Sequence, residues 1–210
     1  LGNYCNHGCL WCSTAYWRQD DSNSIDFMKL TKWLKKAVKR GLKGVGYVGN
    51  GEPLAYKGFS KLVSYVRNLN LDQGIFTNGF LIDRFENELL DNFTYVRISL
   101  DAGSKEIHSE LHDAPSYHFK KIIKNIESLT KKRNNNAPTI GVQYATHQKN
   151  INDLPKCAEI CKDIGVDYLS VKPVFDRGSV HEKIEKNTIT KSEINQKVLS
   201  LKKYETNNFK

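Results

Sequence analysis

Short apolar runs rich in β-branched and aromatic residues recur along the chain at 44–48, 73–77, 95–100, 139–145 and 167–174. Between them, apolar residues repeat with helical spacing at 26–40, 59–69, 83–91, 117–132 and 152–164. The first pattern predicts strands and the second helices, three of them opened by a capping residue: Asp26, Asp83 and Asn152. Residues 1–4 read as the end of a further strand.

Strict alternation of strand and helix implies parallel strands joined by crossovers, as in a doubly wound sheet or a barrel. Both architectures bind ligands at the carboxyl ends of their strands. The chain is unusually polar there. Gly49-Asn50-Gly51-Glu52-Pro53 follows one strand, Thr77-Asn78-Gly79 the next, and Ser99-Leu100-Asp101 ends a third. These groups are expected on one rim. Along 95–101 the period of two sends Arg97, Ser99 and Asp101 to one side and Val96, Ile98 and Leu100 to the other. On the last strand it groups Tyr168, Ser170 and Lys172. Lys172 reads as a contact for an anionic group or as an exposed lysine, and Gln143 as a cavity residue or an edge cap.

With 210 residues, 39% of them hydrophobic, the chain can bury one domain-sized core. No apolar run approaches the ~20 residues needed to span a bilayer, and the start lacks a basic-then-apolar signal order, so a cytoplasmic location is expected. The sequence begins at Leu1 with a motif inside its first dozen residues, which leads us to expect a fragment of a longer protein. A net charge of +9 raises the question of nucleic acid. Six basic residues between Lys29 and Arg40 instead alternate with Phe27, Leu30, Trp33, Leu34, Ala37 and Val38, the pattern of an amphipathic helix with a solvated face.

Cysteine usage adds the chemistry. Three of five cysteines fall within eight residues, Cys5-Asn6-His7-Gly8-Cys9-Leu10-Trp11-Cys12, which favours metal or redox chemistry over disulfides. Gly8 is expected to relieve the turn. A four-iron cluster held by protein alone takes four thiolates, so three leave one iron open, the mark of a working metal. Cys157 and Cys161, one helical turn apart, read as packing residues. His108 and His112 share a helical face without a third ligand at metal-binding spacing, and structural or capping roles are expected.

CxxxCxxC with an aromatic residue, Trp11, before the last cysteine resembles the motif of radical S-adenosylmethionine (radical SAM) enzymes. Gly49-Asn50-Gly51-Glu52-Pro53 is similar to the family's glycine-glycine-glutamate-proline element, with Asn50 in place of a second glycine. The resemblance implies an incomplete (β/α)6 TIM-like barrel, a [4Fe-4S] cluster on Cys5, Cys9 and Cys12, and S-adenosyl-L-methionine chelated to the open iron. It also implies that Glu52 faces the methionine ammonium and that Ser99 and Asp101 meet the ribose or methionine. Trp11, Asn50, Gly51, Asn78, Gln143 and Lys172 complete the expected cofactor contacts. Reductive cleavage would give a 5′-deoxyadenosyl radical, fed by a low-potential donor such as flavodoxin or ferredoxin.

The stretch from Ser99 to Leu129, with His108, His112, Phe119 and Asn125, resembles the branch whose barrels precede twitch or SPASM-type auxiliary-cluster domains. On that resemblance residues 1–178 form the core, and the polar residues 179–210, with a helix expected at 191–203, lead to a missing extension. The rival reading is a basic RNA-binding module stabilised by zinc on the three cysteines and His7. It is disfavoured because the motif stands before an α/β alternation rather than in a small loop-rich module.

Overall fold

The computed structural model describes residues 1–15, 24–135, 137–175 and 186–210. Five strands form one sheet in sequential order: β1 (Gly44–Tyr47), β2 (Asp72–Thr77), β3 (Tyr95–Ser99), β4 (Thr139–Thr146) and β5 (Tyr168–Pro173). Every neighbouring pair is parallel. The order never reverses, so crossovers of one hand keep the helices on one face and leave the other free. A doubly wound sheet needs such a reversal. The fold is therefore an α/β partial barrel.

The connecting helices are α1 (Phe27–Lys39), α2 (Phe59–Asn68), α3 (Glu86–Asn92), α4 (Lys105–His112), α5 (Tyr117–Lys132) and α6 (Leu154–Asp163). Asp26 caps α1 as expected, its Oδ1 accepting from Lys29 N at 2.7 Å. The other two expected caps move. Asp83 lies in a short 3₁₀ turn ahead of α3, and α6 begins after Asp153 rather than Asn152. Asp153 is occupied elsewhere, accepting from Gly103 N and the Ser104 hydroxyl, which ties α6 to the loop after β3.

Alternation in β3 and β4 separates core from cavity. Val96, Ile98, Ile140, Val142 and Tyr144 are fully buried and pack in one core with Ile122, Ile126 and Leu129 of α5 and with Leu154, Cys157 and Cys161 of α6. Each such side chain contributes about 1.5–3 kcal/mol of apolar burial. Tyr95, Arg97 and Ser99 point the other way and are half-buried.

Two expectations at the chain ends change. Residues 1–4 form no ladder strand. Their carbonyls run beside the loop after β1, with Gly51 N donating to Gly2 O and Glu52 N to Tyr4 O. The expected core boundary at 178/179 lies outside the described residues. Residues 186–210, expected as a polar lead, contain the expected helix as α7 (Lys191–Ser200), with a full capping box between Thr190 and Glu193, but the segment is docked and not solvated. Ile194, Leu201 and Phe209 are buried, and the backbone of Lys210 bonds Asp167 O and Leu169 N at the start of β5. Three well-spaced apolar residues suffice to dock a segment that composition alone reads as solvated.

Candidate active site

The cysteine loop is pinned to the carboxyl end of α4. Gly8 N donates to His112 O at 2.8 Å and Leu10 N to Leu111 O at 2.9 Å. This contact explains Gly8 differently from the expectation. Its backbone is not in the left-handed region, but a Cβ there would lie 2.6 Å from the Asp113 carboxylate, so the position needs space rather than freedom. The three thiols are half-buried and joined in no disulfide. Each meets a different neighbour: Cys5 Sγ approaches Asn78 Nδ2 at 3.9 Å, Cys9 Sγ lies 3.1 Å from His112 Nδ1, and Cys12 Sγ 3.2 Å from the Thr14 hydroxyl. Thr14 in turn donates to the Asn50 carbonyl at 2.9 Å.

Glu52 closes the rim between β1 and β2. Its Oε1 accepts from Leu54 N at 3.0 Å and from the Thr77 hydroxyl at 2.6 Å, and its Oε2 from Asn78 N at 2.8 Å. Burial pushes the carboxyl above its ordinary pKa, while the donors on Asn78, Thr77 and Leu54 pull it down. The approach that makes this clasp leaves no room at Gly51, where a Cβ would stand 2.0 Å from the Tyr4 carbonyl oxygen.

Asp101 follows β3 in the left-handed region, φ 55°, a conformation aspartate tolerates better than most residues. Its Oδ1 accepts from Ala145 N at 2.7 Å, and Asn150 Nδ2 bridges the carbonyls of Asp101 and Ala145. Burial raises its carboxyl to about 7, against the Ala145 hydrogen bond.

Beside it lies a buried group of imidazoles. His7 Nε2 bonds His118 Nδ1 at 3.0 Å, and His112 Nε2 reaches Leu100 O at 3.1 Å and Asp101 Oδ2 at 3.5 Å. The His108 and His112 rings stack at 4.4 Å. Burial first, and neighbouring rings second, hold His108 and His112 down at about 3, so both are neutral. The pair does have a third histidine after all: one ring nitrogen each of His7, His108 and His112 lie within 4.8 Å of one another. His7 comes from a loop about a hundred positions away, which spacing within a helix cannot reveal.

A cavity of about 420 Å³ opens at the carboxyl ends of the strands. Cys5, Cys9, Cys12 and Trp11 line one side, and Gly51, Glu52, Asn78, Ser99, Asp101 and Gln143 the other. Two expected residues are not in its walls. Asn50 turns its side chain to Asn3 Oδ1 at 3.3 Å, and Lys172 is exposed near the end of β5. Phe76, Arg97 and His112 line the cavity without having been expected there, although the strand period had already put Arg97 on the inward face. A larger hollow of about 560 Å³, lined by Gly2, Tyr4, Tyr56 and Lys57 among others, includes none of the cysteines.

A partial α/β barrel with three cysteine thiols on a loop at its carboxyl rim defines a class, and the comparisons agree with it. The profile of the Radical SAM superfamily matches residues 1–160, and the chain belongs to that superfamily of enzymes. The cofactors that go with it are a [4Fe-4S] cluster and S-adenosylmethionine, in place of the structural zinc of the rival reading. Among curated relatives, a probable GTP 3′,8-cyclase of Methanocaldococcus jannaschii is 27% identical over 170 residues, covering 79% of this chain and 54% of its own. The PqqA peptide cyclase of Gluconobacter oxydans is 23% identical over 178 residues, covering 81% and 47%. The structure of SuiB from Streptococcus suis bound to S-adenosylmethionine superposes with a TM-score of 0.81 at 20% identity, over 100% of this chain and 48% of that one. The chain thus spans about half the length of these relatives. Among the described residues no helix is long and apolar enough to cross a membrane.

Proposed function

We propose that this chain is the radical-generating core of its enzyme, with Cys5, Cys9 and Cys12 as the three protein ligands of the cluster. The donor set fits: three thiols from one turn converge at the mouth of a cavity that also holds a buried carboxylate. When bound, the cluster and S-adenosylmethionine supply a reductive cleavage that yields a 5′-deoxyadenosyl radical able to abstract hydrogen from a substrate.

The chain's own residues bind and orient. A carboxylate has about four acceptor positions. Three on Glu52 are taken by Leu54, Thr77 and Asn78, which leaves one for the methionine ammonium. Ser99 and Asp101 stand opposite for the ribose or methionine, with Trp11, Gly51, Asn78 and Gln143 forming the remaining walls. Asn50 serves through its carbonyl, by holding Thr14 beside Cys12. Lys172, exposed and outside the cavity walls, is assigned no contact with the cofactor.

Electrons reach the site from a low-potential flavodoxin or ferredoxin, and the enzyme works in the cytoplasm, where thiols such as these stay reduced. Relatives about twice as long support a further proposal: residues 1–178 act as the core, and sequence outside these 210 residues covers the cavity and, on the branch resemblance, carries an auxiliary cluster. The single observation that carries the reading is the convergence of the three thiols and Glu52 on one cavity. Anaerobic reconstitution tests it, with about four irons and four sulfides per chain expected, and 5′-deoxyadenosine formed on reduction. A colourless, zinc-containing protein overturns it.

A further inference from the structure

Arg97 is a cation inside the cavity without an anion. Among the described residues no carboxylate pairs with it and no carbonyl accepts from it, and its Nε is buried without a partner. Its guanidinium lies over the Phe76 ring, 3.9 Å from the centroid, a contact that supplies no hydrogen-bond acceptor to its N–H groups. A buried or half-buried guanidinium normally finds an acceptor, because leaving its donors unmade is costly.

The neighbours of Arg97 extend the same chemistry. Ser99 is the next inward residue of β3, and Gln143 stands opposite Ser99 in the register with β4. Both line the cavity with Arg97. Arg97 pairs with Gly141, and the Tyr168 ring fills the space a side chain there would take, so the neighbour on that side is a phenol and not a carboxylate. A fork of N–H groups, a hydroxyl and a carboxamide on adjoining strands is a donor set for oxygen atoms bearing negative charge. Arg97 also lies two residues, roughly 6–7 Å, further from the rim than Ser99. The cysteines and Glu52 are at the rim, so the position is deeper than the cofactor contacts assigned above.

Resting on the reading under Proposed function, we propose that Arg97, with Gln143 on the adjoining strand, binds an oxyanion of the substrate, a carboxylate or a phosphate, in the cavity below S-adenosylmethionine. The enzyme would then act on an anionic molecule, or on an anionic portion of a larger one, seated by charge before hydrogen is removed.

Equilibrium dialysis tests this on the anaerobically reconstituted protein loaded with S-adenosylmethionine, using radiolabelled malonate and pyrophosphate as separate probes. One of the two is expected to bind at one site per chain, and Arg97→Gln to weaken it by about ten-fold or more, the scale of one charge-assisted contact. Arg97→Lys keeps the charge without the fork and is expected to fall between. Gln143→Ala gives a second, smaller loss should Arg97→Gln fold poorly. Whichever probe binds names the oxyanion. Binding of neither probe, or equal binding to wild type and Arg97→Gln, overturns the proposal. So does probe binding that appears only when S-adenosylmethionine is left out, which would assign Arg97 to the cofactor's own carboxylate. Failure of the underlying reading is read separately, as absence of the four-iron spectrum or of S-adenosylmethionine binding before any probe is added.

Discussion

The Nδ1 of His112 lies 3.1 Å from the sulfur of Cys9, and the other nitrogen of the same ring reaches the Leu100 carbonyl at 3.1 Å. The ring therefore links a proposed cluster ligand to the end of β3. Because the Leu100 carbonyl can only accept, Nε2 carries the proton of the neutral ring and Nδ1 faces Cys9 as an acceptor for its thiol. His112→Phe leaves the Leu100 carbonyl without its donor and is expected to cost about 1–3 kcal/mol of stability in the cluster-free protein, as read by urea unfolding, while the reconstituted protein keeps its iron. Unchanged stability would reduce the contact to packing.

Cysteine variants separate ligands from core. Cys5→Ala, Cys9→Ala and Cys12→Ala should each abolish the four-iron cluster and 5′-deoxyadenosine formation. Cys157 and Cys161 are fully buried, with their sulfurs 3.9 Å apart, and Ala at either position should keep the iron while losing about 1 kcal/mol of stability. Iron analysis and urea unfolding measure both outcomes, and loss of iron in either core variant would contradict the assignment.

Glu52 carries two burdens. Glu52→Ala removes the acceptor for three donors in a buried site, and a loss of about 3 kcal/mol in folding stability is expected together with weaker S-adenosylmethionine binding. Glu52→Gln keeps the volume but sets an amide N–H₂ against one of those donors. It should also be destabilised, by less. Denaturant titration and equilibrium cofactor binding decide; unchanged cofactor affinity in Glu52→Ala would make the residue a rim clasp only.

Asp101 predicts a pH dependence. Burial raises its folded pKa to about 7 from the ordinary 3.8, so the folded state favours the protonated form. Its contribution is full below about 3.8 and is lost as pH rises toward 7, on the order of 4 kcal/mol at about 1.4 kcal/mol per pH unit. In cluster-free protein, Asp101→Asn should flatten the decline in urea midpoint across that window. A parallel decline in the variant would locate the effect elsewhere.

Much of this was legible in the sequence because a period of two or of three to four records which face is buried. The five strands fall within a few residues of their expected positions, and the polar groups after β1, β2 and β3 do meet at one rim. Contacts between distant segments were not legible. Nothing local says that the segment 1–4 lies against Gly51, that His7 joins His108 and His112, or that Asp153 is tied to the loop after β3. Trp33 marks a different limit: counted with the apolar face of α1, it is 60% exposed, because periodicity gives a helix its direction but not the width of the face that is covered. Lys172 was ambiguous for a similar reason, since the inward face of an edge strand need not face anything.

The bonds between Lys210 and the start of β5 bear on how the molecule avoids its own kind. A barrel that stops short of closure ends in a strand with a free side, and such a side invites another strand to add to it. On the period of two, the outward N–H groups of β5 belong to Leu169, Val171 and position 173. The first is taken by the Lys210 carbonyl, and Pro173 has none to offer. Among the described residues a foreign strand approaching that side would find Val171 as its one donor, between the docked Lys210 backbone and a proline, too little for a ladder to start.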